Sequence, residues 1–99
     1  MNNKLLSIIG LCKKSGNLSL GFDSCLEAVN QKSSNLILVT KDLSERTLNK
    51  LQTQFKNNVP IYSIDYSMED IRQILGKTSG IISINNNGFS EKIKQLLNT

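Results

Sequence analysis

Apolar residues recur at helical spacing at Leu5, Ile8, Ile9 and Cys12, and the pattern stops at Gly16-Asn17, predicting a helix from Asn3 to about Ser15. Leu18-Ser19-Leu20 alternates and is short, as an edge strand running into Gly21 would be. Beyond that glycine, Phe22, Cys25, Leu26 and Val29 form a second helical stripe, with Asp23, Ser24, Glu27 and Asn30 on the opposite face. Leu36 to Thr40 is apolar without alternation, which marks a strand covered by helices on both sides and places it at the centre of a sheet. Ser44 can cap a third helix with the stripe Leu48, Leu51 and Phe55, Arg46, Lys50 and Gln54 outward, and a stop at Asn57-Asn58. Pro60 opens a strand from Ile61 to Ile64, where its missing N–H is tolerated. Ser67-Met68-Glu69-Asp70 reads as a variant capping box for a short helix through Ile71, Ile74 and Leu75, closed by Gly76. A strand over Ile81 to Ile84, a turn over Asn85-Asn86-Asn87-Gly88 and a last stripe of Phe89, Ile93, Leu96 and Leu97 complete the chain.

Helices and strands therefore alternate with no linker and no repeat, which implies crossover connections and a mostly parallel or mixed sheet. The expected fold class is α/β: a three-layer α/β/α sandwich with a four-stranded mixed sheet covered by helices on both faces. At 99 residues the whole chain, 1–99, is expected to be one domain with one modest core.

Composition narrows the chemistry. There is no histidine, so the usual imidazole base, proton shuttle and metal ligand are missing; neither a catalytic residue nor a metal or other cofactor is expected. Twelve Lys and Arg against eight Asp and Glu give a net charge of +4, a mild push towards a polyanionic partner. Cys12 and Cys25 fall on apolar helix stripes, where buried free thiols are expected and a reducing cytoplasm fits. The start of the chain lacks the basic head and continuous apolar core of a signal peptide, and no segment nears the roughly twenty apolar residues of a membrane span. A soluble, cytoplasmic protein with no membrane partner is the expectation.

Two loops could meet an anionic ligand. At the first, Gly21 permits close backbone approach, the amides of Phe22, Asp23 and Ser24 open a helix, and Asp23 and Ser24 can hydrogen-bond base edges. The plainer reading has Gly21 turning the strand and Asp23 serving the helix dipole. At the second, Gly76 and Gly80 bracket Lys77, Thr78 and Ser79, a phosphate-friendly loop whose spacing and position after a helix differ from a P-loop. Lys13 and Lys14 close the first helix, and Lys41 and Lys77 belong to loops, so these four lysines form a candidate phosphate footprint. Lys50, Lys56, Lys92 and Lys94 read as solvated helix faces. Asp42 follows the central strand, where it either serves chemistry or turns the chain towards Ser44.

These residues in this order resemble the kink-turn RNA-binding ribosomal protein family, the large-subunit L-seven-Ae and L-thirty-e group, and most of all its small bacterial YlxQ-like branch. The resemblance spans the chain: Leu11-Cys12-Lys13-Lys14-Ser15-Gly16-Asn17-Leu18 with Gly21, the strand ending in Lys41-Asp42, Val59-Pro60-Ile61, Leu75-Gly76-Lys77-Thr78-Ser79-Gly80, and Asn87-Gly88-Phe89. It implies that the helix after Gly21 enters a bent RNA while the loop ending at Gly80 packs nearby. The family signature Gly-x-Asn-Glu-x-x-Lys is met here by Gly21 but departs at Asp23, Ser24 and Glu27, the last placing an acid where the family holds a base. The implied function is non-enzymatic binding of structured, kink-turn-like RNA in association with the ribosome or its rRNA, by a monomer. Its footprint would be Lys13, Lys14, Gly21, Phe22, Asp23, Ser24, Glu27, Lys41, Lys77, Thr78, Ser79 and Gly80. Two other readings stay open: a protein-interaction module that kept the fold and lost kink-turn recognition, for which Glu27 speaks, and an enzyme using Lys41 and Asp42 as an acid/base pair.

Overall fold

The computed structural model describes residues 3–55 and 58–98; the surface position expected of Lys56 and the Asn57 half of the Asn57-Asn58 stop lie outside them. The described elements alternate as expected: α1 (Asn3–Lys14), β1 (Leu18–Leu20), α2 (Phe22–Asn30), β2 (Leu36–Val39), α3 (Glu45–Phe55), β3 (Ile61–Ser63), α4 (Met68–Leu75), β4 (Ile81–Ile84) and α5 (Asn87–Leu97). Local chemistry sets the boundaries. Gly16, at φ 80°, ends α1: its N–H donates to Lys13 O, and the N–H of Asn17 donates to Cys12 O. Ser44 Oγ accepts from Thr47 N at 3.2 Å ahead of α3. Ser67 and Asp70 form the reciprocal capping box of α4, and Gly76 closes that helix in the left-handed region at φ 78°.

The sheet order is β1-β4-β2-β3. β2 and β3 run parallel, whereas β4 runs antiparallel to both β1 and β2, so the sheet is mixed and two of its three pairings are antiparallel. β2 is interior as expected and shares that position with β4, both of whose faces are buried along its whole length. Alternate residues of these two strands feed two cores. Leu36, Leu38, Ile82 and Ile84 pack with Ile9 and Cys12 of α1, Ile71 and Leu75 of α4 and Ile93 of α5. On the other face Ile37, Val39 and Ile81 pack with Cys25 and Val29 of α2 and with Leu51 and Phe55 of α3. Helices thus cover both faces, which completes the three-layer α/β/α sandwich.

One expectation changes. Asn87-Gly88 belongs to α5 and not to the preceding turn, because the Asn86 side chain accepts from Phe89 N at 2.9 Å and caps the helix one residue earlier. Tyr66 is buried in the core beside α1 and α4. Cys12 and Cys25 are both buried and free, and burial pushes their thiols up to about 11 and about 12. No helix among the described residues is long and apolar enough to cross a membrane.

Candidate nucleic-acid interface

The pairings bring the C-terminal ends of β1, β2 and β3 to the same end of the sheet as the start of β4. The two glycine-marked loops meet there, although more than fifty residues separate them in the chain. Gly21 is the N-cap of α2 at φ 88° and ψ 161°, a conformation open to glycine and strained for any other residue. Its N–H is shared between Ile81 O at 3.0 Å and Ser79 Oγ at 3.1 Å. The Ser79 hydroxyl in turn donates to Ile81 O at 2.8 Å and accepts from Ile81 N at 3.2 Å. Ser79 therefore clamps the turn in front of α2.

Glycine offers no side chain to cap the helix, so the first-turn amides of Phe22, Asp23 and Ser24 have no capping side chain among the described residues. Aligned peptide dipoles concentrate roughly half a positive charge at such an end, which suits an anion. Asp23 is exposed and is the acidic residue of that first turn. Beside it lies an open cleft of about 310 Å³ lined by Lys13, Leu18, Ser19, Leu20, Ser24 and Lys77. The Lys13 ammonium donates to Leu75 O, a carbonyl in the last turn of α4, so the side chain is held at the cleft by the negative end of a helix.

A second cleft of about 270 Å³ opens on the other side of Ser24, with Ser19, Glu27, Gln31, Ser33 and Asn85 among its walls. Gln31 Nε2 donates to Glu27 Oε1 at 3.2 Å. Asn85 joins the far wall to the sheet: it donates to Ser19 Oγ at 2.9 Å and accepts from the buried Ser83 hydroxyl at 2.6 Å. Sequence reading passed over Ser19 and Asn85. The alternation of Leu18-Ser19-Leu20 does place Ser19 opposite its neighbours, but nothing in the chain shows that β1 lies against β4 and its trailing Asn85.

The structure divides the rest of the expected footprint. Lys13, Ser24 and Lys77 share one cleft, Glu27 lines the neighbouring one, and Thr78 is exposed in the same loop as Lys77. The Phe22 ring instead packs towards α3, 5.4 Å from the Phe55 centroid, and Lys50 lies 4.5 Å over it, so this lysine is more than a solvated face. Gly80 is buried, and a Cβ on it would lie 2.7 Å from Leu43 Cδ1 and 3.1 Å from Thr40 Oγ1. Lys14 points into a different depression, between α1 and α4. Lys41, roughly 10 Å from Gly21 by two strand spacings, lies 3.7 Å from Asp65 in an exposed ion pair. Asp42 bonds the Met68 amide at 3.0 Å and so tethers the loop after β2 to the start of α4.

The profile of the ribosomal protein L7Ae/L30e/S12e/Gadd45 family matches residues 3–94. The RNA-binding protein YlxQ of Enterococcus faecium is 28% identical over 95 residues, covering 95% of this chain and 91% of that protein. Its namesake from Bacillus subtilis is 23% identical, covering 91% of each. A Bacillus halodurans protein of unknown function superposes with a TM-score of 0.86 at 23% identity, over 97% of this chain and 98% of that one. The 15.5 kD RNA-binding protein of Giardia lamblia superposes with a TM-score of 0.76 at 15% identity, over 95% of this chain and 82% of that one.

Proposed function

Because the chain belongs to the ribosomal protein L7Ae/L30e/S12e/Gadd45 family, we propose that it binds a structured, kink-turn-like RNA without acting on it as an enzyme. The start of α2 is the edge turned to that RNA. The observation that carries the reading is the open first turn of α2, its amides uncapped behind a clamped Gly21 and flanked by a cleft holding Lys13 and Lys77. A sharply bent backbone brings phosphates close together, and an uncapped helix end beside two ammonium groups answers that charge without needing a particular base sequence. The RNA-binding names of the two YlxQ relatives support the same reading. The proposed setting is the cytoplasm, with rRNA or the ribosome as the source of the RNA.

Glu27 favours a second reading, a protein-interaction module on the same fold. It is exposed on the α2 edge, where a phosphate would be repelled. Titration of the protein with a standard kink-turn RNA and with an unkinked duplex, at two salt concentrations, separates the two. RNA recognition requires the kinked RNA to bind at least about tenfold more tightly at both. Equal affinities that vanish together in high salt would leave only diffuse charge attraction and favour the second reading.

A further inference from the structure

An open groove of about 680 Å³ runs between α1 and α4, lined by Ser7, Gly10, Leu11, Lys14, Ile74 and Leu75 with Lys13 at its end. Leu11 and Ile74 are the large hydrophobic side chains that stay exposed among the described residues, at 56% and 45%. They come from different helices and meet at one place. Gly10 lines the groove between them, where a Cβ would come into ordinary contact with Ile74 Cγ2 at 3.7 Å.

The charged side chains that line this apolar strip have one sign. Lys13 and Lys14 are its charged lining residues. The carboxylates of α4 are occupied elsewhere: Asp70 closes the capping box and Glu69 pairs with Arg72. Among the described residues no aromatic ring lines the groove, so they offer no stacking platform of the kind on which single-stranded nucleic-acid sites depend. We propose that the groove docks an acidic, apolar segment of a partner protein, its aliphatic side chains between α1 and α4 and its carboxylates over Lys14. This goes beyond RNA binding and does not rest on it. Lys13 lines both this groove and the cleft beside α2, so a partner docked here would sit next to any RNA held there.

The test is a titration of the full chain, followed by methyl NMR, with two short synthetic amphipathic peptides that carry the same Leu/Ile stripe, one flanked by Glu and the other by Lys. The Glu-flanked peptide should shift the Leu11 and Ile74 methyls and bind about tenfold more tightly at low salt. The Leu11→Ser/Ile74→Ser variant should lose that binding while keeping its melting temperature and its RNA affinity. Lys14→Glu, should the double variant misfold, must reverse the peptide preference. Equal binding of both peptides, no methyl shift with either, or a concentration-dependent dimer of the wild type that Leu11→Ser dissociates would each overturn the proposal, the last by giving the groove to a second copy.

Discussion

At φ 88° and ψ 161° Gly21 occupies backbone space that a side-chain-bearing residue enters at a cost of about 1–3 kcal/mol. A Cβ built there meets nothing within 4 Å, so it would stand in the open space before α2 without disturbing the core. Gly21→Val should therefore lower the melting temperature by several degrees yet abolish binding of kinked RNA; a variant that melts early but binds normally when folded would remove Gly21 from the site. Gly80 makes the opposite case. A Cβ there would press on Leu43 Cδ1 and Met68 Cε, the ends of flexible side chains that can swing aside, so Gly80→Ala should cost no more than about 1 kcal/mol and leave the RNA affinity unchanged, as paired melting and titration curves would show. In the sequence these two glycines look alike, each at the rim of a loop with hydroxyl and charged neighbours. What separates them is the density of atoms around each, which depends on Leu43, Met68 and Thr40 arriving from elsewhere in the chain. Phe22 sits on the apolar stripe expected of it, but its partners Phe55 and Lys50 come from α3 and had no signal in the local sequence.

The periodicities gave every helix and strand of the described chain, because caps and apolar stripes act within a few residues of one another. The α4 capping box is such a case, and it titrates. The bond from Ser67 N holds the Asp70 carboxyl below its usual range, with the Ser67 side chain and the Lys41 charge acting in the same direction. The ionised form is thus favoured by folding: its contribution is complete above the ordinary carboxylate value near about pH 4 and fades as pH falls through the lower folded value. Urea midpoints followed downward from neutral pH should drop in that acid window, and less steeply in Asp70→Asn. Some slope should remain, since Arg72 holds Glu69 below its usual range as well. Strand direction was less legible than strand position. A run such as Ile81 to Ile84, buried on both faces, reads the same in either direction, so the antiparallel placing of β4 between β1 and β2 had no local signal. On α2 the exposed positions can be rewritten without touching the core. Asp23→Asn, Ser24→Glu and Glu27→Lys together should tighten kink-turn binding markedly, chiefly by replacing repulsion with attraction at the last position, and unchanged affinity in a folded variant would show that this helix does not face the RNA.

Across the molecule, a net charge of +4 attracts any polyanion, so affinity alone says little about where RNA sits. Lys77→Ala should weaken binding across RNA sequences and reduce the salt slope by about one, whereas Lys92→Ala, exposed on α5, should change neither; equal losses would reveal attraction without a site. The clamp on Gly21 has a bearing on time as well as on shape. Among the described strands β1 comes first along the chain, yet its sole partner among them is β4, which comes last, and the bonds that hold Gly21 reach forward to Ser79 and Ile81. During translation the leading helices emerge long before the loop that sets the mouth of α2, so a nascent chain carries the basic α1 terminus without a formed recognition edge. On the proposed reading, competence to bind kinked RNA arrives only when β4 closes against β1, and fragments that stop before β4 would carry the charge of α1 without the Gly21 clamp.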